Sequence, residues 1–125
     1  MARIYAPRPD EVFIRSEANG TLSRDKITLK TSATVYGSAT VVIAEIVTNA
    51  LTGKYVRATQ TLVEAAGENL HLAIVCRRTD AAEADVIATG FVRDGEVKGL
   101  ELDLDTSLTV AEITPYLAAQ DIVVR

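Results

Sequence analysis

One histidine, one cysteine and a crowd of carboxylates in the second half are the groups of this chain that could do chemistry. His71 lies between Leu70 and Leu72, and Cys76 follows five residues on. An imidazole that activates a thiol is the chemistry such a pair suggests. The spacing opposes it, because residues five apart on a strand point to opposite faces. The run Leu72-Ala73-Ile74-Val75 makes Cys76 a small buried hydrophobe. The same apolar setting makes His71 a partly buried structural histidine. No second histidine exists to complete a metal site.

The carboxylates between Asp80 and Asp105 could work as acid and base or hold calcium. They fall instead at expected turns and on the polar faces of expected strands. Asp103-Leu104-Asp105 supplies only two carboxylates, and no Asp-x-Asp-x-Asp-Gly loop is present. Arg77-Arg78 reads as a salt-bridging surface spot. Gly53-Lys54 lacks the upstream glycine and the Ser/Thr of a phosphate-binding loop. The reading is therefore of a protein that is not an enzyme, with no catalytic residue, no metal ligand set and no cofactor.

Composition narrows the partners. The chain has 125 residues and a formal charge of −4, so one domain is expected and a basic nucleic-acid-binding face is not. Hydrophobic residues make up 48%, but aromatics only 5% and Trp is absent, so Val, Ile, Leu and Ala must build the core. A lone cysteine forms no internal disulfide and fits a reducing compartment. There is no secretory signal pattern and no apolar run near the roughly 20 residues of a membrane span. Synthesis in a cytoplasm, with no membrane partner, is expected.

Residues 1–11 read as an extended arm and residues 12–125 as a single β-rich domain. Pro7 and Pro9 exclude regular helix in the arm. Asn19-Gly20 tolerates positive φ and predicts a tight turn before the first strand; Asp94-Gly95 is a second hairpin signal. Thr40–Thr48 is β-branched and nearly continuous in hydrophobicity, which predicts a strand buried on both faces. Asn49–Thr52 reads as a turn, and Gly53–Ala58 as a short strand. Thr59–Asn69 is ambiguous, with one helical turn broken by Gly67. Leu70–Cys76 and Asp85–Val92 read as strands, and Gly90 inside the second suggests a bulge or a close backbone approach.

Leu100, Leu102 and Leu104 alternate with Glu101 and Asp103, the pattern of a half-buried strand. The one good helix lies near the C-terminus. It starts either at Thr109, with Glu112 completing a capping box, or at Thr114-Pro115. Ile122-Val123-Val124 reads as a closing strand that pairs within the domain or with a neighbouring subunit. The fold class is α+β, mainly β: one domain of short strands and hairpins, with one or two short C-terminal helices and an extended N-terminal arm.

Four segments carry a family resemblance: "SEANGTLSRDKITL", "TGKYVRA", "ADVIATGFVRDGEVKGLELD" and "LAAQDIVVR". They resemble, in this order, segments of the head decoration proteins of tailed bacteriophages, the family typified by the lambda D capsid-stabilising protein. The resemblance covers residues 11–125. It implies a structural virion protein on the exterior of the phage head, made in the host bacterial cytoplasm. It implies a homotrimer over local threefold axes that clamps the major capsid protein against the pressure of packaged DNA. It implies an arm that grips the shell, so that Arg3, Ile4, Tyr5, Val12 and Phe13 would be capsid-binding. The alternative from another class is a small β-rich binding module, for carbohydrate or as a fibre accessory domain. That reading needs exposed aromatic platforms, and this chain has four tyrosines and no Trp.

Overall fold

The computed structural model describes residues 11–20 and 22–125. Its elements are β1 (Ile14–Glu17), β2 (Arg24–Leu29), β3 (Val41–Val47), β4 (Ala50–Arg57), α1 (Gln60–Ala66), β5 (Leu72–Val75), β6 (Val86–Phe91), β7 (Gly95–Val97), α2 (Val110–Ala118) and β8 (Ile122–Val124). The mainly β fold expected from the sequence is the fold observed.

Five strands close a barrel in the order β2-β4-β3-β5-β6, and β1-β7-β8 form a separate sheet. All pairs in the barrel are antiparallel except β2–β4, which meets over Thr28↔Lys54 and Leu29↔Tyr55. In the small sheet β8 lies parallel to β7, so the apolar C-terminal strand pairs within its own domain.

Side chains alternate between two cores. Ile27, Leu29, Val42, Ala73 and Val75, with Tyr55, Val86 and Ala88 against them, form one cluster. Every barrel strand contributes to it, so it is the barrel interior. Five strands leave little room inside, which explains the small residues. A Cβ on Gly90 would sit 2.9 Å from Ile27 Cδ1 and 3.3 Å from Ala73 Cβ. The β2–β6 register runs unbroken through Gly90, so close approach rather than a bulge accounts for it.

Val41, Ile43, Leu72 and Ile74 point the other way, into a larger core with Phe13, Val63, Phe91, Ile113, Leu117 and Ile122. Strand β5 and the first half of β3, Val41 to Ala44, are thus covered on both faces, whereas β3 opens to solvent after Glu45 and leaves Val47 exposed. Each fully buried Leu, Ile or Phe contributes roughly 1.5–3 kcal/mol.

Helix α2 begins at the earlier of its two possible starts. Thr109 accepts from the Glu112 N–H at 3.2 Å, and the Glu112 carboxylate accepts from the Thr109 N–H at 3.1 Å. Pro115 lies inside the helix and withholds one backbone donor. An interior proline costs about 3 kcal/mol, and burial of Ile113 and Leu117 on the opposite face offsets it. The ambiguous segment after Thr59 is helix α1, capped by the Thr59 hydroxyl on the Leu62 N–H at 3.3 Å.

Four local expectations are corrected. Asn19-Gly20 and Asp94-Gly95 do form turns, with Gly20 at φ +67° and Asp94 at φ +53°. Neither closes a hairpin, because the flanking strands belong to different sheets. The hairpin lies at Thr48-Asn49, both at positive φ, so β4 already begins at Ala50. Leu100–Leu104 is not a strand: a 3₁₀ turn spans Gly99–Glu101, and only Asp103 bridges, to Thr40. His71 precedes β5 and is exposed rather than partly buried.

Candidate functional site

The turns predicted at Asn19-Gly20 and Asp94-Gly95 meet in space, joined by Ser23. This serine is wholly buried; its hydroxyl accepts from the Ala18 N–H at 2.9 Å and donates to the Asp94 carbonyl at 2.9 Å. Its carbonyl accepts from the Val92 N–H at 2.8 Å. Gly95 has its own reason. A Cβ there would lie 2.3 Å from Phe91 Cζ and 2.7 Å from the Ser16 carbonyl oxygen. The laced turns hold the small sheet against the barrel.

Residues 11–13 lead into the first strand of that sheet. Phe13 is completely buried, and its ring meets Phe91 edge-on at 6.1 Å and 82°. Its carbonyl accepts from the Lys98 N–H at 2.7 Å. Glu11 donates its N–H to the Ser38 hydroxyl at 3.1 Å and ion-pairs with Arg24, which also forks onto Glu17 at 2.9 and 2.8 Å. The Arg24 hydrogen bond holds the Glu17 carboxyl below its ordinary value. The chain is therefore anchored at Glu11 through Phe13, and residues 1–10 are attached to a fixed root.

This placement reassigns one expected contact. Phe13 fills the core, so its side chain is an anchor and not a partner-binding group. Val12 is half-buried beside it. Arg3, Ile4 and Tyr5 lie outside the described residues. A sequence pattern shows an apolar pair at Val12-Phe13 but not which member turns inward; the contact with Phe91, far along the chain, decides that.

Among the described residues, His71 and Cys76 stand apart. His71 lines an open polar groove of about 380 Å³ with Asp25, Arg93, Asp94 and Gln120. Arg93 is occupied by Asp25 and by the Leu22 carbonyl. Gln120 spans the groove floor instead of facing it. Its side-chain oxygen accepts from the Leu72 N–H at 2.6 Å, and its amide donates to the Leu72 and Val92 carbonyls at 2.8 and 3.2 Å. One amide side chain thus ties the end of α2 to β5 and to the chain after β6, a role that only the fold reveals.

Cys76 is buried, and that burial pushes its thiol up to about 11. Among the described residues no group of three or more His, Cys, Asp and Glu side chains could hold a metal, and no helix is long and apolar enough to cross a membrane. Tyr36 is buried, and Tyr55 and Tyr116 pack half-buried against the two cores. These three tyrosines therefore support the body.

The family model of bacteriophage lambda head decoration protein D matches residues 4–122 of the chain. The chain belongs to that family. No curated protein and no solved structure matches it. Membership gives a head decoration protein a structural role in the phage capsid and a location on the virion. The match reaches back to residue 4, so it includes most of the segment ahead of the anchored Glu11.

Proposed function

We propose that this chain binds the outer surface of the phage head as a homotrimer at local threefold axes and stabilises the expanded capsid against the pressure of packaged DNA. The observation that carries the proposal is the family match, which runs from inside the arm through nearly the whole body. The major capsid protein is the partner. Arg3, Ile4, Tyr5 and Val12 make the contact, and the root at Glu11–Phe13 bears the load.

The energetics suit the role. A subunit that binds only the expanded lattice stabilises that lattice by mass action. Three arms on one body convert the second and third attachments into intramolecular events, at effective concentrations of about millimolar for short linkers. Modest single contacts then add up to a firm clamp. An anchored root matters here because a tether that peeled off the body would yield before the contact did.

Deleting residues 2–10 leaves Glu11, Phe13 and all their described contacts in place. The truncated chain is expected to keep its melting temperature and its oligomeric state and to lose attachment to expanded heads, read by co-sedimentation. Attachment that survives the deletion rules out the arm as the gripping element.

A further inference from the structure

Leu100 is 96% exposed, the most exposed of the large apolar side chains described. It does not sit on a loose loop. The 3₁₀ turn Gly99–Glu101 is clamped at Gly99, where a Cβ would lie 2.9 Å from both Val110 Cγ1 and Val124 Cγ1. The Gly99 N–H donates to the Arg125 carbonyl at 3.1 Å, and the Glu101 N–H to the Lys98 carbonyl at 3.0 Å. A leucine held out into water on a braced turn is a knob without a hole. Lys98, next to it, is exposed and makes no ion pair with another described residue.

A matching hole lies on the other flank of α2. Helices α1 and α2 leave between them an open groove of about 450 Å³, floored by Val63, Leu108, Pro115 and Tyr116 and edged by Glu64 and Glu112. Glu64 takes a hydrogen bond from Gln60, and Glu112 serves the Thr109 cap. Neither carboxylate is paired with a cation among the described residues. The groove is apolar with an acidic edge; the knob is apolar with a basic neighbour.

We propose that Leu100 of one chain seats in the α1–α2 groove of a second copy, with Lys98 reaching the Glu64–Glu112 edge, and that this contact builds the oligomer. Knob and groove are different surfaces, so the contact is heterologous and must close into a ring or run on as a filament. Both flank the start of α2: Gly99 touches Val110, and the groove is lined by Ala111 and Glu112. Surfaces that lie side by side on one protomer suit the tight turn of a small ring. This inference rests on the trimer reading above and names its interface.

The test is the solution mass of the full chain by light scattering, with Leu100→Asp, Lys98→Glu, Glu64→Lys and the double exchange Lys98→Glu/Glu64→Lys. All three positions are exposed, and unchanged circular dichroism and melting of a monomeric form check the fold. The wild type is expected at 40.2 kDa, three times the 13.4 kDa of the chain. Leu100→Asp and each single charge reversal are expected to shift the mass toward 13.4 kDa at the same concentration. The double exchange is expected to restore the trimer. A trimer that survives Leu100→Asp overturns this interface and leaves the trimer reading standing. A wild type that stays monomeric at every concentration overturns this interface and leaves the trimer on the head standing. A trimer kept by Leu100→Asp with loss of head attachment assigns the knob to the shell protein and also overturns the proposal.

Discussion

Gly95 has no room for a methyl group, while Gly20 has nothing but room. A Cβ at Gly95 collides with the buried Phe91 ring and with the Ser16 backbone; one at Gly20 meets no atom within 4 Å. Gly20 needs glycine only for its φ of +67°. Left-handed backbone costs an ordinary residue about 1 kcal/mol, whereas forced overpacking costs up to about 3 kcal/mol. Gly95→Ala is therefore expected to destabilise the protein about three times as much as Gly20→Ala in urea denaturation. Equal losses would mean that the close approach is not there. Cys76 gives a second check at this scale. With its thiol pushed up to about 11 by burial, it is expected to resist alkylation in the native protein and to react fully once unfolded. Ready labelling of the native chain would contradict its burial.

Among the elements, the seam of the barrel is the short parallel pair β2–β4, and Asp85 clamps it. Its carboxylate holds Lys54 of β4 at 2.7 Å and accepts from the Thr31 N–H and hydroxyl, just after β2, at 2.8 and 2.9 Å. The Lys54 hydrogen bond, and then the Thr31 bonds, lower its carboxyl from 3.8 to about 2. A depressed carboxyl stabilises the fold fully above its ordinary value and loses that contribution as pH falls through the folded value. Melting temperature is thus expected to drop between pH 3.8 and about 2, and Asp85→Asn to flatten that limb. An identical acid limb in the variant would show that the clamp carries nothing.

The doubly buried half of β3 was legible because its hydrophobicity is unbroken from Val41 to Ala44, and α2 because Thr109 and Glu112 stand three apart before an apolar face. The turns at Asn19-Gly20 and Asp94-Gly95 were legible as turns. Their flanking strands were not, since partner choice is set by the two-sheet topology and not by local sequence. The alternation at Leu100–Leu104 misled for a related reason. Leu102 and Leu104 do pack against the core, but the 3₁₀ turn at Gly99–Glu101, packed at Gly99 against Val110 and Val124, leaves Leu100 pointing outward. Thr48 hid the real hairpin, because threonine rarely takes the positive φ that it adopts there.

For the whole molecule, the candidate site divides the same way. The family resemblance was legible in four segments, and the family match extends over residues 4–122. Phe13 as anchor, Gln120 as tie and the exposure of Leu100 were not, since each depends on residues distant in sequence. The proposed function divides the chain between a body that bears load and an N-terminal arm that grips the shell.

The most direct test of that division is co-sedimentation of the full chain, and of the chain lacking residues 2–10, with expanded phage heads. The expected result is saturable binding of the full chain and none of the truncated one. Failure of the full chain to bind, or equal binding by both, would contradict it.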